Sequence, residues 1–240
     1  VVAIPGVEFG WIESLLLAAI MSSTDSASVF SILNSSKKGL KENMKPLLEL
    51  ESGSNDPMAY LLVIILIQIM EGSGMSGSAL WAESILLLVK QLVVGAISGV
   101  AIGFGAVWLI NKIKANNEFM YPILLLSVVA MIFSITELIG GNSYLAVYIG
   151  GLVVGTRKIV LKHTITTFFG GFTWLVQIVM FLSLGLLVNP HELIDWHVIV
   201  VGLALGLFMI LLGRPLAVML SIGWMRQFSM KAKAFVCWVG

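Results

Sequence analysis

Charged residues and cysteines are scarce in this sequence, and each shortage excludes a class of protein. Only 11% of the 240 residues are charged, whereas a soluble domain carries about 25%. Charge this sparse leaves too little polar surface to cover a soluble particle. The single cysteine, Cys237, excludes a disulfide within the chain and a cysteine-based metal cluster. The net charge of +1 gives no indication that the chain binds nucleic acid.

Apolar residues, in contrast, make up 58% of the chain. Several apolar segments approach or exceed the ~20 residues that cross a bilayer as a helix. The sequence therefore predicts an all-α polytopic membrane protein. Both ends read as internal positions of a longer, transporter-sized protein, because the chain begins VVAIPGVEFG and stops within an apolar run, KAFVCWVG. An eighth apolar segment begins near Ala234, after seven at about residues 10–34, 46–70, 84–110, 119–139, 143–155, 165–188 and 198–223.

Basic residues are concentrated in every second connection between these segments. Twelve of the 14 Lys and Arg residues lie in the odd-numbered connections, and the even-numbered ones carry none. Cytoplasmic loops are enriched in Lys and Arg, so this pattern predicts which loops face the cytoplasm. The loops expected there are residues 35–45, 112–118, 157–163 and 224–233.

The second apolar segment contains several polar residues, of which Asp56 lies deepest. It follows Pro46 by ten residues, or about 15 Å of helix. A carboxylate at that depth costs several kcal/mol unless it is paired, hydrated or protonated. We therefore expect Asp56 to bind a proton or a cation, one at a time. Helical spacing places Ser52 on the same face, so Asp56 is expected to face a water-filled cavity with Ser52 beneath it.

Two further basic residues lie inside apolar segments. Arg214 is deep in the seventh segment, where a guanidinium remains charged and needs a carboxylate partner. Glu51 points roughly 140° away from Asp56 around the helix, which leaves it available to pair with Arg214. Lys90 lies near the end of the third segment and is expected to extend to the membrane interface. The alternative is that Lys90 pairs with Asp56 as a purely structural carboxylate.

The stretch SSTDSAS interrupts the first apolar segment at its middle. Ser, Thr and Asp side chains bond to nearby backbone and end helices, so this run predicts a broken helix near the midplane. Broken helices are how secondary transporters build ion sites, with free carbonyls and half-helix ends facing the ion. We therefore expect Thr24 and Asp25 to face Asp56 and Ser52. The alternative role for these hydroxyls is ordinary hydrogen bonding between helices.

At these residues the sequence resembles a known family. STDSASVFSIL, followed by LLELESGSNDPMAYLL, resembles the core of the NhaP-type sodium/hydrogen exchangers, which are monovalent cation:proton antiporters. Supporting stretches are GGNSYLAVYIGGLVVG, LLGRPLAV and the terminal FVCWVG. The resemblance implies an inverted-repeat helical bundle with a mobile core domain and a dimerisation domain. Residues 1–240 would be a partial transmembrane exchanger domain of a homodimer in the bacterial inner membrane.

The resemblance also implies roles for individual residues. Asp56 would be the carboxylate that binds the proton and the cation. Asn55 beside it matches the Asn-Asp pair of electroneutral members. Thr24, Asp25 and Ser52 would complete the site for a monovalent cation, with no cofactor beyond the transported K+ or Na+ and H+. Glu51 and Arg214 would form a structural ion pair between core helices.

One departure and one open point accompany the resemblance. Many relatives have proline where this chain has Ser26, so the position at which the first helix breaks is not determined. The combination of STDSASVF with ESGSNDP is similar to bacterial potassium/proton antiporters. The residues themselves do not separate K+ from Na+, because both ions accept the same oxygen ligands.

Two alternatives of other classes remain open from the sequence. An intramembrane aspartyl protease would use Asp25 and Asp56 as its catalytic pair. That class carries a Gly-x-Gly-Asp signature, which is absent here, and gives Arg214 no role. A cation channel would need a continuous pore, and its flux would not respond to an imposed pH gradient.

Overall fold

The computed structural model describes residues 10–24, 44–71, 77–113, 117–225 and 227–239, and these are helical with short connections. Ten α-helices and one π-helical segment are present in these ranges. They are α1 (Trp11–Met21), α2 (Met44–Met70), α3 (Gly77–Lys112), α4 (Met120–Leu138), α5 (Ser143–Thr156), α6 (Lys162–Leu187), α7 (Pro190–Leu193), α8 (Trp196–Phe208), the π segment (Met209–Gly213), α9 (Arg214–Ile222) and α10 (Met230–Val239).

The helices coincide with the apolar segments predicted from the sequence, so the all-α membrane fold is confirmed. Within the described part of the chain, five stretches are long and apolar enough to cross a bilayer: α2, residues 82–112 of α3, α4, α6, and the continuous run from α8 through α9. Two apolar helices are shorter. The 14 residues of α5 extend about 21 Å, less than the ~30 Å hydrocarbon core. The 11 residues of α1 are the helical part of residues 10–24, the described portion of the first predicted segment.

The chain divides into two compact units, which we call unit 1 and unit 2. Unit 1 comprises Val1–Glu71 and Asn189–Gly240, and unit 2 comprises Gly72–Val188. Unit 1 therefore holds α1, α2 and α7 to α10, whereas α3 to α6 form unit 2. Each unit has its own apolar core.

Unit 2 is built around the close packing of α3 on α5. A Cβ atom on Gly95 would lie 2.6 Å from the Asn142 carbonyl oxygen, and one on Gly99 would lie 2.5 Å from that of Ala146. Glycine is therefore required at both positions for the two backbones to approach. Gly95 and Gly99 of the third segment therefore serve helix packing. Gly105 differs, because a Cβ there would meet nothing within 4 Å.

Side-chain hydrogen bonds link neighbouring elements at the two ends of unit 2. At one end, Ser98 and Thr136 share a buried hydrogen bond of 2.8 Å between α3 and α4. At the other end, Asn111 of α3 clamps the loop after α5. Its amide donates to the Lys158 carbonyl at 3.0 Å and its carbonyl accepts from the Val160 amide at 3.1 Å. The connections after α3 and after α5, both basic, therefore lie at the same end of unit 2.

The core of unit 1 joins α2, α9 and α10. Its buried members are Met44, Leu48, Val218, Ala232 and Val236. Lys233 is buried beside this cluster, and its ammonium donates to the Gly223 carbonyl at 2.7 Å. The beginning of α2 and the beginning of α10 therefore lie together at one end of unit 1.

The π segment immediately precedes Arg214. The Arg214 amide donates to the carbonyl of Met209, five residues earlier, instead of the usual four. Pro215 explains this widening, because a proline ring clashes with the carbonyl four residues before it and has no N–H to donate. Single π turns are frequent at functional sites of helices. Here the wider turn ends at Arg214.

Candidate ion-binding site

Helix α1 ends at Met21, in the middle of the first predicted apolar segment. The Ser22 hydroxyl donates to the carbonyl of Ala19 at 2.7 Å, and the Ser22 amide donates to the same oxygen at 3.2 Å. A serine that bonds to the last turn in this way competes with helix continuation. Ser23 and Thr24 follow without helical structure. The helix therefore stops where the run of hydroxyl residues begins, as the sequence predicts.

The non-helical end of α1 contacts a polar face in the middle of α2. The Ser23 hydroxyl donates to Oδ1 of Asp56 at 2.5 Å. The Asn55 amide donates to the Thr24 hydroxyl at 2.8 Å, and the Ser52 hydroxyl donates to the Thr24 backbone carbonyl at 2.7 Å. The two consecutive residues Ser23 and Thr24, just after α1, are thus hydrogen-bonded to three polar residues of α2.

These contacts give Thr24 and Asp56 different surroundings. Both the side-chain oxygen and the backbone oxygen of Thr24 accept a hydrogen bond from α2. Oδ1 of Asp56 accepts from Ser23, whereas its Oδ2 accepts no hydrogen bond from the described residues. A carboxylate oxygen of this kind can take a proton or a cation. Thr24 supplies two further oxygens nearby, and oxygen ligands are those that hard cations prefer.

Pro57 adds a backbone oxygen to the same stretch of α2. It lies inside the helix directly after Asp56 and has no N–H. The carbonyl of Gly53, four residues earlier, therefore cannot receive its usual helical hydrogen bond. A carbonyl left without that bond is a candidate cation ligand within one turn of Asp56.

Glu51 and Arg214 lie in direct contact. Nη1 of Arg214 donates to Oε1 of Glu51 at 2.8 Å, joining α2 to the start of α9. Only 14% of the Arg214 side chain and 24% of the Glu51 side chain are exposed. Nε and Nη2 of Arg214 are buried without a hydrogen-bond partner among the described residues. Buried donors need partners, so we expect water molecules beside this guanidinium.

A cavity of about 650 Å³ opens beside this pair within unit 1. It is lined by the end of α1 and the residues after it, α2, the π segment, α9 and α10. Its polar lining residues are Ser22, Thr24, Glu51, Ser54, Asn55, Arg214 and Ser221. The sequence predicted a cavity on the face of α2 that carries Ser52 and Asp56. This cavity lies along the face that carries Glu51 and Asn55, and the prediction for the face of Asp56 stays a prediction. The Asp56 side chain itself is exposed.

The structure thus brings together Thr24, Ser52, Asn55 and Asp56, and separately pairs Glu51 with Arg214. Asp25, the remaining predicted site residue, lies outside the described residues. Ser23 is the contact that the sequence did not single out. The only signal for it was its place in the hydroxyl run, since which hydroxyl reaches Asp56 depends on how α1 ends.

Comparison with known proteins bears on this arrangement. The family profile described as "sodium/hydrogen exchanger, transmembrane" matches residues 1–240, the whole of the chain. The chain belongs to the sodium/hydrogen exchanger family. The resemblance seen in the motifs around Thr24 and Asp56 is thereby confirmed. This exchanger-family chain is a transporter segment rather than an enzyme, which removes the aspartyl protease alternative.

Named relatives of this exchanger-family chain are antiporters. It is 39% identical over 231 residues to the K(+)/H(+) antiporter NhaP2 of Shewanella oneidensis, covering 96% of the chain and 39% of that protein. It is 38% identical over 234 residues to the K(+)/H(+) antiporter NhaP of Alkalimonas amylolytica, with the same coverage of each. Identity to the Na(+)/H(+) antiporter NhaH of Halobacillus dabanensis is 30% over 236 residues, covering 93% of the chain and 55% of that protein. The chain therefore spans well under two thirds of the length of these relatives.

Proposed function

We propose that the protein containing this chain exchanges a monovalent cation for a proton, and that Asp56 carries each ion in turn. The observation that carries the proposal is the contact of the non-helical end of α1 with Asp56, Asn55 and Ser52 in the middle of α2. An acid at such depth in a membrane helix is functional by default. One carboxylate that accepts either ion, but not both, is sufficient to couple the two fluxes.

The proposed cation is K+. Oxygen ligands alone do not separate K+ from Na+, so this part of the proposal rests on the relatives. The relatives named as K(+)/H(+) antiporters are 39% and 38% identical to the chain, whereas the Na(+)/H(+) antiporter is 30% identical. Asn55 is neutral, so Asp56 exchanges one positive charge for another. We therefore propose electroneutral exchange of one K+ for one H+.

We propose that the two units have different roles during alternating access. Ser23, Thr24, Asp56, Glu51 and Arg214 all belong to unit 1. Unit 1 is the proposed moving, ion-carrying part, and unit 2 is the proposed scaffold on which a homodimer forms. The proposed location is the bacterial inner membrane, with the four basic connections on the cytoplasmic side.

The experiment uses the full-length protein in proteoliposomes with a pH-sensitive dye in the lumen. A pH gradient is imposed, and K+ or Na+ is added at several pH values with the membrane potential clamped at zero. The expected result is a change in lumenal pH driven by K+ more strongly than by Na+, and unaffected by the clamp. Asp56→Asn is expected to abolish this change. Glu118→Gln, which removes an exposed carboxylate from the connection before α4, serves as the matched control.

Three results would contradict parts of the proposal. Normal exchange in a folded Asp56→Asn protein would remove Asp56 as the ion carrier. A K+ flux that does not respond to the pH gradient would indicate a channel. Exchange that stops or accelerates when the potential is clamped would contradict electroneutrality while leaving the antiport assignment intact.

A further inference from the structure

An apolar groove of about 300 Å³ lies within unit 2 between α4, α5 and α6. Val128 and Ile132 of α4 form one wall, and Ile165 and Phe169 of α6 form another. The floor follows α5 from Val147 to Gly155, which is about 12 Å at helical rise. Gly150 and Gly151 have no side chains to project from this floor into the groove. The groove has the elongated, apolar character that suits a hydrocarbon chain.

One end of the groove carries a positive charge. Lys162, at the start of α6, is the only charged residue among those that line it. Its ammonium donates to the Gly155 carbonyl at 2.6 Å, which places the charge over the end of α5. An ammonium group carries three donors, so two more can be given to a ligand.

The surroundings of this end are also basic. Arg157 and Lys158 are exposed in the loop that joins α5 to α6. The Arg157 guanidinium lies over the Phe104 ring at 4.9 Å, and Asn111 holds the loop through the Lys158 carbonyl. The sequence has no Asp or Glu between residues 137 and 192, so Glu118 before α4 is the one acidic residue of unit 2 at this end. Basic charge therefore predominates where the groove opens.

We propose that this groove binds an acidic phospholipid, with an acyl chain between α4, α5 and α6 and the phosphate at Lys162. An apolar channel that ends in a cluster of basic side chains complements a lipid tail joined to an anionic head group. A neutral lipid would leave the charge of Lys162 uncompensated. A free phosphate would leave the groove empty.

The test measures lipid binding to the detergent-purified full-length protein by native mass spectrometry. Phosphatidylglycerol and phosphatidylcholine with identical acyl chains are titrated in parallel. Lys162→Gln keeps a donor for the Gly155 carbonyl but removes the charge, and is expected to weaken phosphatidylglycerol binding about fivefold. Gly151→Leu fills the groove and is expected to abolish this binding event. A Cβ at Gly151 meets nothing within 4 Å, so the leucine is accommodated without a backbone clash.

Two control variants match these changes. Lys112→Gln removes a charge that lies over the Trp108 ring and does not line the groove. Gly105→Leu adds the same side chain at a glycine of α3 that also has open space around it. Both are expected to bind phosphatidylglycerol as the unmodified protein does.

Several outcomes would overturn the proposal. Equal binding of phosphatidylglycerol and phosphatidylcholine would show that the basic end of the groove does not favour an acidic head group. Displacement of the lipid by inorganic phosphate would indicate a simple anion site. Unchanged binding in both Lys162→Gln and Gly151→Leu would place the lipid elsewhere. If the unmodified protein binds no lipid, another segment of the full-length protein or a second copy fills the groove.

Discussion

The hydroxyl of Ser23 donates a hydrogen bond to Oδ1 of Asp56, joining the end of α1 to the middle of α2 across 33 positions of sequence. This contact leaves Oδ2 of Asp56 as the oxygen that accepts no hydrogen bond from the described residues. Ser23 therefore orients the carboxylate with respect to Thr24, the next residue along the chain. In the proposed exchange, this orientation determines which oxygen is presented to the ion.

Ser23→Ala is expected to raise the KM for the cation about tenfold while changing the maximal exchange rate less. The reason is that a hydrogen bond to a charged group contributes about 1.5–3 kcal/mol, and losing it releases the carboxylate from its orientation. The measurement is cation-dependent exchange in proteoliposomes. Ser23→Thr retains the hydroxyl and should restore the KM. As a control, Ser127→Ala removes a hydroxyl that donates to the Ile123 carbonyl within α4. An unchanged KM in Ser23→Ala would show that Ser23 does not position Asp56.

The side chains of Thr24 and Asn55 are expected to be energetically coupled. Asn55→Ala and Thr24→Val each remove the hydrogen bond of 2.8 Å that links them. The double variant should therefore be less destabilised than the sum of the two single variants, by about 0.5–1.5 kcal/mol. Thermal unfolding of the four proteins in the same detergent supplies this comparison. Simple additivity would mean that the two side chains do not interact in the folded protein.

Breaking the Glu51–Arg214 pair is expected to destabilise the protein strongly. Arg214→Ala leaves the Glu51 carboxylate largely buried and unpaired, which costs about 3–5 kcal/mol. Replacing both residues, as Glu51→Gln with Arg214→Met, should cost less than Arg214→Ala because no charge remains unpaired. Unfolding temperature and yield of folded protein measure both effects. Arg157→Gln, which removes an exposed guanidinium, is the control. Wild-type stability of Arg214→Ala would refute a structural role for the pair.

Substitution of Gly99 is expected to disrupt the packing of α3 on α5. A Cβ there would lie 2.5 Å from the Ala146 carbonyl oxygen, so Gly99→Leu should prevent folding and Gly99→Ala should lower the unfolding temperature. Gly105→Ala is the matched control, because its Cβ would enter open space. Alanine there should leave stability unchanged or raise it by up to about 1 kcal/mol, following helix propensity. Equal behaviour of the Gly99→Ala and Gly105→Ala variants would contradict the close approach.

The helical segments were predictable because their signals are local. Apolar runs long enough to cross a bilayer identified α2, α4, α6 and the run from α8 through α9 to within a few residues. They also identified α3, although that helix begins at Gly77, seven residues before the predicted start. The end of α1 was predictable from the hydroxyl run. The π segment was not predicted, although its cause lies in the sequence. The ring of Pro215 conflicts with the carbonyl of Leu211, and the widened turn is the response of the helix to that conflict.

The site was predictable as a set of residue types but not as a set of contacts. Helical spacing separated the Ser52/Asp56 face of α2 from the Glu51/Asn55 face, and the need of a buried guanidinium for a carboxylate suggested Arg214 with Glu51. The cavity beside Glu51 and Asn55 was not predicted. That cavity depends on where the end of α1 docks, because Met21, Ser22 and Thr24 form part of its wall, and this docking is a contact between segments distant in sequence.

The sequence by itself determined that this protein is a membrane-spanning helical chain, which polar residues lie within its apolar segments, and to which family it belongs. Hydropathy, helical spacing and short motifs are properties of neighbouring residues, so they can be read without a fold. Only the tertiary structure decided that Ser23 contacts Asp56, that the cavity follows Glu51 and Asn55, and that a groove ends at Lys162. These depend on how helices far apart in the chain meet, and small changes in crossing angle exchange one neighbouring side chain for another.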